Sequence, residues 1–552
     1  MLICYNKKFI KNMEIKMVEK IVAKIENSSL DRLKKIICTA VFLFVFGMMT
    51  HEKYSGSGDE PHYMMISYSL VFDQDLDLSN NYGDKNNIIF DGNLSKEEAH
   101  ARIGGNGKLF PSHDIGMSLL FAPYFSLSYI LAREIPKRLP IFILDKIKMK
   151  AWEFLKLFLG FGMIFFTCFM ATQIFDLCFY FSQDKTKSFF WTFFCAISPP
   201  ILSHSFLFFT EIPTACGAIF IYKKIKMEEE LSAQKSLFLG ILSASLILIH
   251  IRNIVLAGIL LFLIFLKSAR SCLSKACPER NPGGAESWGG VEEQSRQMNS
   301  RGFLRAIKIL AIQKKFVLLN LALGVSLILF LRTWLNLYLW GSSLTTKHLL
   351  LHNFKSLNVE MFLEIILRAF AIFFDQEGGL FIYAPIYILC FAGFTILFKK
   401  SKSTFFELLL PCLINVLTIV SFPFWNHHGW SGFWSPAARY LVPIIPFCAL
   451  ATFFVFIQLK SLTWIVKGFI GLQIFINLFF WQFPKLLWND GDGISALSLF
   501  LKEYSSFNFL AFIPTWNQFS WNSFIKSMTL SGLCLWITLN LLRKLKPSAS
   551  NR

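Results

Sequence analysis

The sequence predicts an all-α protein that crosses a membrane many times, and two observations carry this prediction. Of the 552 residues, 54% are hydrophobic and 62 are phenylalanine, and the mean hydropathy of +0.48 is too high for a soluble domain. Apolar runs of about 17–25 residues, the length that a helix needs to span a bilayer, recur along the chain. Because lipid offers no partner to an unpaired backbone group, the crossings are expected to be helices.

Twelve segments fit such crossings, although several are shorter than the ideal length. A basic region at 1–35 precedes the first of them, and a transmembrane core extends from residue 36 to residue 460. A C-terminal part, 461–552, adds two helices, an outer loop at 482–526 and a cytoplasmic tail. The crossings are expected at 36–50, 151–182, 188–202, 208–223, 236–250, 253–267, 316–332, 380–397, 404–421, 441–458, 462–481 and 527–542.

The net charge of +19 is distributed as in a membrane topology rather than as on a nucleic-acid-binding surface. Residues 1–35 carry nine Lys or Arg against four acids, and residues 267–315 carry ten against four. Loops rich in Lys and Arg stay in the cytoplasm, so the N-terminal region and a linker at 268–315 are expected there. Residues 51–114 carry eleven acids against five basic residues and are expected outside. Anionic membrane lipids are the expected partners of the positive charge, and no nucleic acid is expected to bind.

Segment 115–132 decides the topology of everything that follows it. If it crosses, Lys185 and Lys223–Lys224 face outward, against the rule for basic loops. If it lies in the outer interface or re-enters, these lysines stay inside and only the basic residues 133–150 break the rule. We prefer the second topology, which has an even number of crossings and a large first outer loop, 51–150, that contains interfacial helices.

A carboxylate pair, Asp59 and Glu60, follows the first crossing within the run GSGDEPHY. Pro61 suits the first turn of a helix that continues through His62 and Tyr63. The helix dipole stabilises a carboxylate at this position, so one interpretation is a capped interfacial helix. The other is an active site at the membrane surface, where a carboxylate meets a substrate whose head group lies in the interface.

Further polar residues are expected at the same outer face. His113 follows the glycine-rich turn that contains Lys108, Glu211 begins a crossing, and Asp375 and Arg439 each precede one. Each has a plain alternative, because Glu211 and Asp375 could cap helices and Arg439 could anchor a helix end in the interface. Acidic residues at membrane depth are costly, and their shared depth favours a site.

The motifs that contain these residues follow one another in a recognisable order. They are GDEPHY at 58–63, HDIG at 113–116 with APY at 122–124, TEIP at 210–213, FDQEGG at 374–379 and SPAARY at 435–440. With them, the chain resembles the C-type glycosyltransferase superfamily, in particular the branch of the protein O-mannosyltransferases and lipid A aminoarabinose transferases (glycosyltransferase family 39). The likeness covers most of residues 36–460.

This resemblance implies an enzyme of the cell membrane, or the inner membrane if the source is bacterial, with its active site facing outside. It would move a sugar from a polyprenyl-phosphate donor to an extracytoplasmic protein, lipid or glycan by a single inverting displacement. Asp59 would be the general base, and Glu60 would orient Asp59 or the sugar hydroxyls. Arg439 is the first candidate for the departing phosphate. The other candidates for substrate binding are His62, Tyr63, Lys108, His113, Glu211 and Asp375, with Arg252 as a further cation.

No metal ion is assigned from the sequence. A divalent metal held by Asp59, Glu211 or the histidines stays open, because enzymes of the resembling family differ in their use of metals.

A lipid-linked saccharide flippase or a polysaccharide polymerase is the alternative function. Either would have many crossings and a lipid partner as well. A flippase is expected to carry charges at several depths along a central cavity, whereas the acids here gather at one face. This difference favours the transferase.

Overall fold

The computed structural model describes residues 19–51, 58–89, 94–140, 149–276, 300–342, 359–421, 435–458, 463–505, 508–516 and 520–544. Within these ranges α-helices dominate, and strands form two small antiparallel sheets, β1 (Ala101–Ile103) with β2 (Leu109–Pro111) and β3 (Ser435–Pro436) with β4 (Trp488–Asn489). The helices in chain order are α1 (Leu30–His51), α2 (Glu60–Tyr68), α3 (Gly116–Arg138), α4 (Ala151–Ser182), α5 (Lys185–Ala196), α6 (Ile201–His204), α7 (Glu211–Met227), α8 (Ala233–Ile249), α9 (Ile254–Ala276), α10 (Ser300–Trp340), α11 (Val359–Phe374), α12 (Leu380–Tyr383), α13 (Cys390–Lys400), α14 (Lys402–Ser421), α15 (Ile445–Gln458), α16 (Trp464–Gln482), α17 (Ala496–Tyr504) and α18 (Trp521–Lys544).

Eight helical segments of the described residues are long and apolar enough to cross a membrane. Each coincides with one of the twelve crossings expected from the sequence. The fold is therefore that of a multi-pass helical membrane protein. The eight are Leu30–Thr50, Ala151–Ser182, Ile251–Ser268, Lys315–Trp340, Lys402–Ser421, Arg439–Gln458, Trp464–Gln482 and Trp521–Arg543.

The other four predicted crossings have a different form. Two of them, at 208–223 and 236–250, are the 17-residue helices α7 and α8. The prediction of one unbroken helix was wrong for 188–202, where α5 ends at Ala196 before two consecutive prolines, and for 380–397. There, a 3₁₀ helix (Pro385–Leu389) separates α12 from α13. Proline has no N–H to donate and therefore interrupts a helix.

The predicted linker at 268–315 is helical at both ends, because α9 continues to Ala276 and α10 begins at Ser300. Residues 277–299, between these helices, lie outside the described residues. So do residues 1–18 of the basic N-terminal region.

Charged side chains gather at one end of α1, α4 and α7. Nζ of Lys34 and Nζ of Lys223 lie 2.7 and 2.6 Å from the two carboxylate oxygens of Asp176. One helix turn beyond Lys223, Nζ of Lys226 lies 2.8 Å from Oε2 of Glu407 and links α7 to α14. These three lysines and their acidic partners thus meet at one end of the bundle.

Asp59 and Glu60 belong to the opposite end. After Lys34, α1 continues for 17 residues to His51, which is about 25 Å of helix. Lys156, which lies beside Glu60, precedes Asp176 by 20 residues of α4, about 30 Å along the helix axis. The Asp176 group with its lysines and the Asp59–Glu60 pair are therefore separated by about the thickness of a bilayer core.

Helix α3, which contains residues 116–132 of segment 115–132, packs on the half of α4 nearer to Glu60. The hydroxyl of Tyr124 donates a 2.7 Å hydrogen bond to the carbonyl oxygen of Phe158, and the rings of Phe121 and Phe166 lie 5.4 Å apart. This helix is not among the eight long apolar segments found in the described residues. On its outer side it exposes Leu119, Leu120, Leu127 and Ile130.

Candidate functional site

Arg439 joins three distant segments of the chain. Its Nη2 donates a 2.6 Å hydrogen bond to Oδ2 of Asp59, and its Nε donates a 2.9 Å hydrogen bond to Oε1 of Glu211. The guanidinium carbon lies 4.0 Å from the centroid of the Phe209 ring, where a cation is attracted to the face of the ring. Arg439 begins a 3₁₀ helix (Arg439–Ile444) that continues into α15, and it is only 4% exposed. Its guanidinium is thus fixed between two carboxylates.

A second guanidinium, that of Arg252, shares Glu211. Nη2 of Arg252 donates to Oε1 of Glu211 and, at 3.3 Å, to Oγ1 of Thr210, while its guanidinium carbon lies 4.3 Å from the centroid of the Tyr440 ring. Glu211 is the first residue of α7 and is fully buried. Two cations and two carboxylates therefore form one compact cluster, which we call the charged cluster: Asp59, Glu211, Arg252 and Arg439.

Asp59 occupies the N-cap position of α2, yet among the described residues its side chain makes no capping hydrogen bond to that helix. Oδ2 bonds Arg439 instead, and Oδ1 lies 3.6 Å from Nδ1 of His100 and 3.7 Å from Nε2 of His113. Burial acts to raise the pKa of the Asp59 carboxyl, but Arg439 and then His113 outweigh burial and hold this pKa well below its usual range. The interpretation of Asp59 as a simple helix cap is wrong.

A short β-hairpin carries the two histidines. Ala101 of β1 pairs with Pro111 of β2, and the N–H of Ser112 donates to the carbonyl oxygen of His100 at 2.9 Å, so His100 and His113 emerge side by side. The closing turn contains Gly107 with a φ of +78°, a conformation that glycine adopts readily.

The hairpin is attached to the preceding 3₁₀ turn (Leu78–Asn80) by Asp77. Oδ1 of Asp77 accepts hydrogen bonds from the N–H of Leu109 and the N–H of Ser79, both at 3.2 Å. Nζ of Lys108 lies 3.7 Å from Oδ2 of the same carboxylate, and the Lys108 side chain is 48% exposed. Lys108 is thus directed to Asp77, and the contacts give no support to a place for it in the charged cluster.

The imidazoles of His62, His100 and His113 form a contiguous group beside Asp59. Nδ1 of His100 and Nε2 of His113 lie 2.9 Å apart, and the rings of His62 and His100 are stacked with centroids 3.7 Å apart. Nδ1 of His62 also lies 2.8 Å from the hydroxyl of Tyr82. Burial, which Asp59 only partly opposes, lowers the pKa of His113 to about 4, so this ring is neutral at pH 7.

Asp59, His100 and His113 have the composition of a metal-ligand set. One carboxylate oxygen and two imidazole nitrogens lie within 4.8 Å of one another. Neutral imidazoles and a carboxylate are ligands that divalent transition metals accept.

Glu60 and Tyr63 take separate positions next to the charged cluster. Oε1 of Glu60 accepts a 2.6 Å hydrogen bond from the N–H of Phe208, and Oε2 lies 4.0 Å from Nζ of Lys156; Glu60 is 2% exposed. These contacts tie α2 to α4 and to the segment before α7. Tyr63 is fully buried with its ring 4.8 Å from that of His113, and within the described part of the chain its hydroxyl has no hydrogen-bond partner.

The hydrogen bonds that the structure gives the Asp375 carboxylate come from backbone N–H groups and not from the charged cluster. Its Oδ1 accepts hydrogen bonds from the N–H groups of Glu377 (2.7 Å) and Gly378 (2.9 Å), and its Oδ2 accepts one from the N–H of Trp516 (2.9 Å). Burial raises the pKa of Asp375 to about 7 although these hydrogen bonds oppose the shift. The contacts indicate that Asp375 shapes a turn.

That turn positions Arg439 indirectly. The carbonyl oxygen of Gly378 accepts a 3.1 Å hydrogen bond from the N–H of Ala438, the residue before Arg439. The carboxylate of Glu377 accepts hydrogen bonds from the N–H groups of Gly491 and Gly493. The segments that contain Gly378, Ala438 and Gly491–Gly493 are therefore joined by hydrogen bonds next to Arg439.

A second ionic contact anchors α10 to the site. Oδ1 of Asp114 accepts a 2.8 Å hydrogen bond from Nη2 of Arg332, and Oδ2 accepts one of 2.6 Å from the N–H of Ile251. Ile251 precedes Arg252, so Asp114 helps to fix the second guanidinium. Sequence reasoning missed both Arg332 and His100; the only signal for His100 was its position before a glycine-rich turn that ends near His113.

An apolar cavity of about 800 Å³ adjoins the segment that carries Arg439. Leu441 and Ile444 line it and belong to the 3₁₀ helix that begins at Arg439, while Phe374 lines it and precedes Asp375. The rest of the lining comes from α11–α15 and α18 and includes the thiols of Cys390, Cys412, Cys448 and Cys534.

Comparison with protein-family models, curated proteins and solved structures found no match for this chain. The charged cluster, the three histidines and the apolar cavity are therefore the features that bear on function.

Proposed function

We propose that this protein is a membrane glycosyltransferase that moves a sugar from a polyprenyl-phosphate donor to an extracytoplasmic acceptor. The observation that carries the proposal is the bridge that Arg439 forms between Asp59 and Glu211. It places a carboxylate suited to accept a proton next to a guanidinium suited to bind a phosphate. An inverting sugar transfer from a phosphate ester uses a base for the acceptor proton and a cation for the departing phosphate.

The low pKa of Asp59 suggests how donor binding and base strength are coupled. In the resting site Asp59 is ionised, but Arg439 makes it a weak base. A donor phosphate would compete with Asp59 for Arg439, with Arg252 as the neighbouring cation. Loss of the hydrogen bond from Arg439 would return the pKa of Asp59 towards its ordinary value, so that the base becomes stronger once the donor is bound.

The chemical step is a single displacement. The acceptor oxygen or nitrogen forms a bond to C1 of the sugar while the bond between C1 and the phosphate oxygen breaks, and the configuration at C1 inverts. The acceptor proton passes to the Asp59 carboxylate. The electron pair of the broken bond leaves with the polyprenyl phosphate, whose charge Arg439 and Arg252 would stabilise.

The apolar cavity supports a lipid-linked donor. Its walls share the 3₁₀ helix of Arg439, so a phosphate at the guanidinium would have a hydrophobic space within reach for the chain attached to it. A water-soluble nucleotide-sugar donor would have no use for such a cavity.

The separation of the two charged ends supports an active site on the outer face. Lys34 and Lys223 belong to the predicted cytoplasmic segments and meet at the end opposite to Asp59. The contacts of α3 lie on the half of α4 nearer to Glu60, which favours the topology in which segment 115–132 does not cross. We propose twelve crossings, with α5, α7, α8 and the α12–α13 unit as the four that are shorter or broken.

The charge distribution also bears on the flippase alternative. The buried ionic groups described above lie at two ends about one bilayer apart, and the site residues share one of those ends. A transfer reaction at one membrane face uses this arrangement, whereas a flippase is expected to carry charged groups at several depths along its pathway.

The experiment is complementation with Asp59→Asn. Cells that lack the chain are supplied with the original protein or the variant, and their envelope glycans, lipids and proteins are analysed by mass spectrometry. We expect one class of molecule to lose its sugar without the chain and to regain it only with the original protein, because removal of a positioned base lowers the rate about 10²–10⁴-fold. Asparagine can still accept the hydrogen bond from Arg439, so the variant is expected to fold.

The matched control is Glu98→Gln, an exposed carboxylate of the same loop, which should restore the sugar fully. Full restoration by Asp59→Asn would remove Asp59 from the mechanism. An unchanged glycan profile, with lipid-linked sugar accumulating on the inner leaflet, would instead favour the flippase.

A further inference from the structure

We propose that Asp59, His100 and His113 form a binding site for one divalent transition-metal ion of the zinc class. The three atoms that would bind the ion are Oδ1 of Asp59, Nδ1 of His100 and Nε2 of His113. The assignment of the site is independent of the proposed glycosyl transfer; only the role of the ion rests on it.

The distances between these atoms fit a tetrahedral site. They are 2.9 Å between the two nitrogens, and 3.6 and 3.7 Å from the carboxylate oxygen to each nitrogen. Ligand atoms about 2.0–2.2 Å from a zinc ion at tetrahedral angles lie about 3.4 Å apart. The observed values lie on both sides of this figure, so an ion would fit with shifts of a few tenths of an ångström in the side chains.

The chemistry of the set selects the class of metal. Two imidazoles with one carboxylate suit zinc and its neighbours in the first transition row, whereas calcium and magnesium prefer oxygen ligands. Three protein ligands leave a fourth position open, as in zinc sites that take part in a reaction.

The surroundings hold the ligands in orientation. Oδ2 of Asp59 accepts the hydrogen bond from Arg439, which leaves Oδ1 for the ion. The ring of His62 is stacked on His100, and the ring of Tyr63 packs beside His113. Fixation of ligands by neighbouring groups is typical of metal sites. The hydrogen bond from the N–H of Ser112 to the carbonyl oxygen of His100 keeps His100 and His113 next to each other at the ends of the hairpin.

The open position gives the ion a role in the proposed reaction. An acceptor hydroxyl or amine that reached the ion would have its pKa lowered, as a bound metal does to such a group.

The test measures metal binding directly. The full chain is purified in detergent without a polyhistidine tag, stripped with a chelator and dialysed against zinc, and the bound metal is counted by elemental mass spectrometry. We expect one zinc per chain, and a loss of that zinc in His100→Ala. His100 is 44% exposed, so its truncation should leave the fold intact, which the melting temperature checks.

The matched control is His250→Ala. His250 lies 4.0 Å from Asp114 and belongs to neither the hairpin nor the ligand set, so this variant should retain one zinc. Cobalt substitution adds a second readout, because four-coordinate Co²⁺ gives intense visible bands that six-coordinate Co²⁺ lacks, and these bands should vanish in His100→Ala.

Zinc binding that is equal in the original protein, His100→Ala and His250→Ala would overturn the site, as would no binding at all. Failure of the proposed transferase is a different result: zinc binds as expected, yet the glycan profile does not depend on Asp59. Conversely, unimpaired sugar transfer by a chain that binds no zinc would overturn the metal site and leave the transferase standing.

Discussion

Asp59 and Arg439 lie 380 residues apart in the chain, and Nη2 of Arg439 lies 2.6 Å from Oδ2 of Asp59. One residue follows the first long apolar helix and the other begins the sixth. Their contact, with Glu211 as a common neighbour of both arginines, depends on the packing of the whole bundle. Substitutions of Asp59 and Arg439 therefore measure how much this contact contributes to stability and to activity.

Arg439→Gln is expected to lower the free energy of unfolding by about 3–5 kcal/mol, because Asp59 loses its guanidinium partner and Glu211 keeps only Arg252. The loss can be measured by denaturant titration in detergent. In Asp59→Asn/Arg439→Gln the combined loss should be smaller than the sum of the single losses, since the first change removes one of the charges that the second leaves unpaired. Additive losses would contradict the coupling of the two residues.

Glu60→Gln distinguishes the role of Glu60 from that of the neighbouring Asp59. Glutamine can still accept the hydrogen bond from the N–H of Phe208, but it loses the charge that faces Lys156. We expect a cost in stability of about 1 kcal/mol and a less than tenfold loss of sugar transfer, against a much larger loss for Asp59→Asn. The measurement is the initial rate of transfer for both variants in the same membranes. Equal losses would show that Glu60 acts directly on the substrate.

The sequence was sufficient to predict a multi-pass helical protein because each apolar run is a local property. It also predicted that Asp59, Glu211 and Arg439 share a site, because charges near membrane ends are costly and need a partner. Which partner each one takes was not predictable. The choice of Arg439 by Asp59, instead of the amide groups of α2, depends on the packing of α15 against α7, and no spacing along the chain encodes it.

Two features of the site were not predicted from the sequence, namely the place of His100 and the contacts of Asp375, and both have physical reasons. His100 was missed because β1 and β2 have three residues each, too few for alternation of polar and apolar residues to appear. Asp375 was predicted to bind substrate from its depth and from the FDQEGG motif, and the contacts that the structure gives its carboxylate run to backbone N–H groups. Buried N–H groups in a turn require acceptors, and the nearby Asp375 carboxylate supplies them.

Asp375 should give the protein a measurable dependence of stability on pH. Burial raises the pKa of this carboxyl to about 7 in the folded protein, while the ordinary value of about 3.9 applies when unfolded. Between about pH 4 and 7 the folded state therefore binds more protons than the unfolded state, so the free energy of unfolding falls as pH rises, by at most about 1.4 kcal/mol per pH unit. Asp375→Asn should remove this contribution.

The measurement is the difference in melting temperature between the original protein and Asp375→Asn at several pH values from 4 to 7. Asp31→Asn serves as the control, because the side chain of Asp31 is 90% exposed. Its melting curve should follow that of the original protein. Identical pH dependence in all three proteins would show that Asp375 is ionised throughout this range.

Leu413→Trp tests whether the apolar cavity receives the lipid chain of the donor. Leu413 lines the cavity from α14 and is 46% exposed, so a tryptophan should reduce the cavity without disturbing the core. We expect KM to rise for a donor with a long polyprenyl chain and to stay unchanged for a donor analogue with a chain too short to enter, while kcat stays unchanged for both. Leu417→Trp, one helix turn away and equally exposed but not part of the lining, should alter neither KM. If KM rose equally for the long and the short donor, the cavity would not be the site of the chain, and the phosphate at Arg439 would have to be reached from another direction.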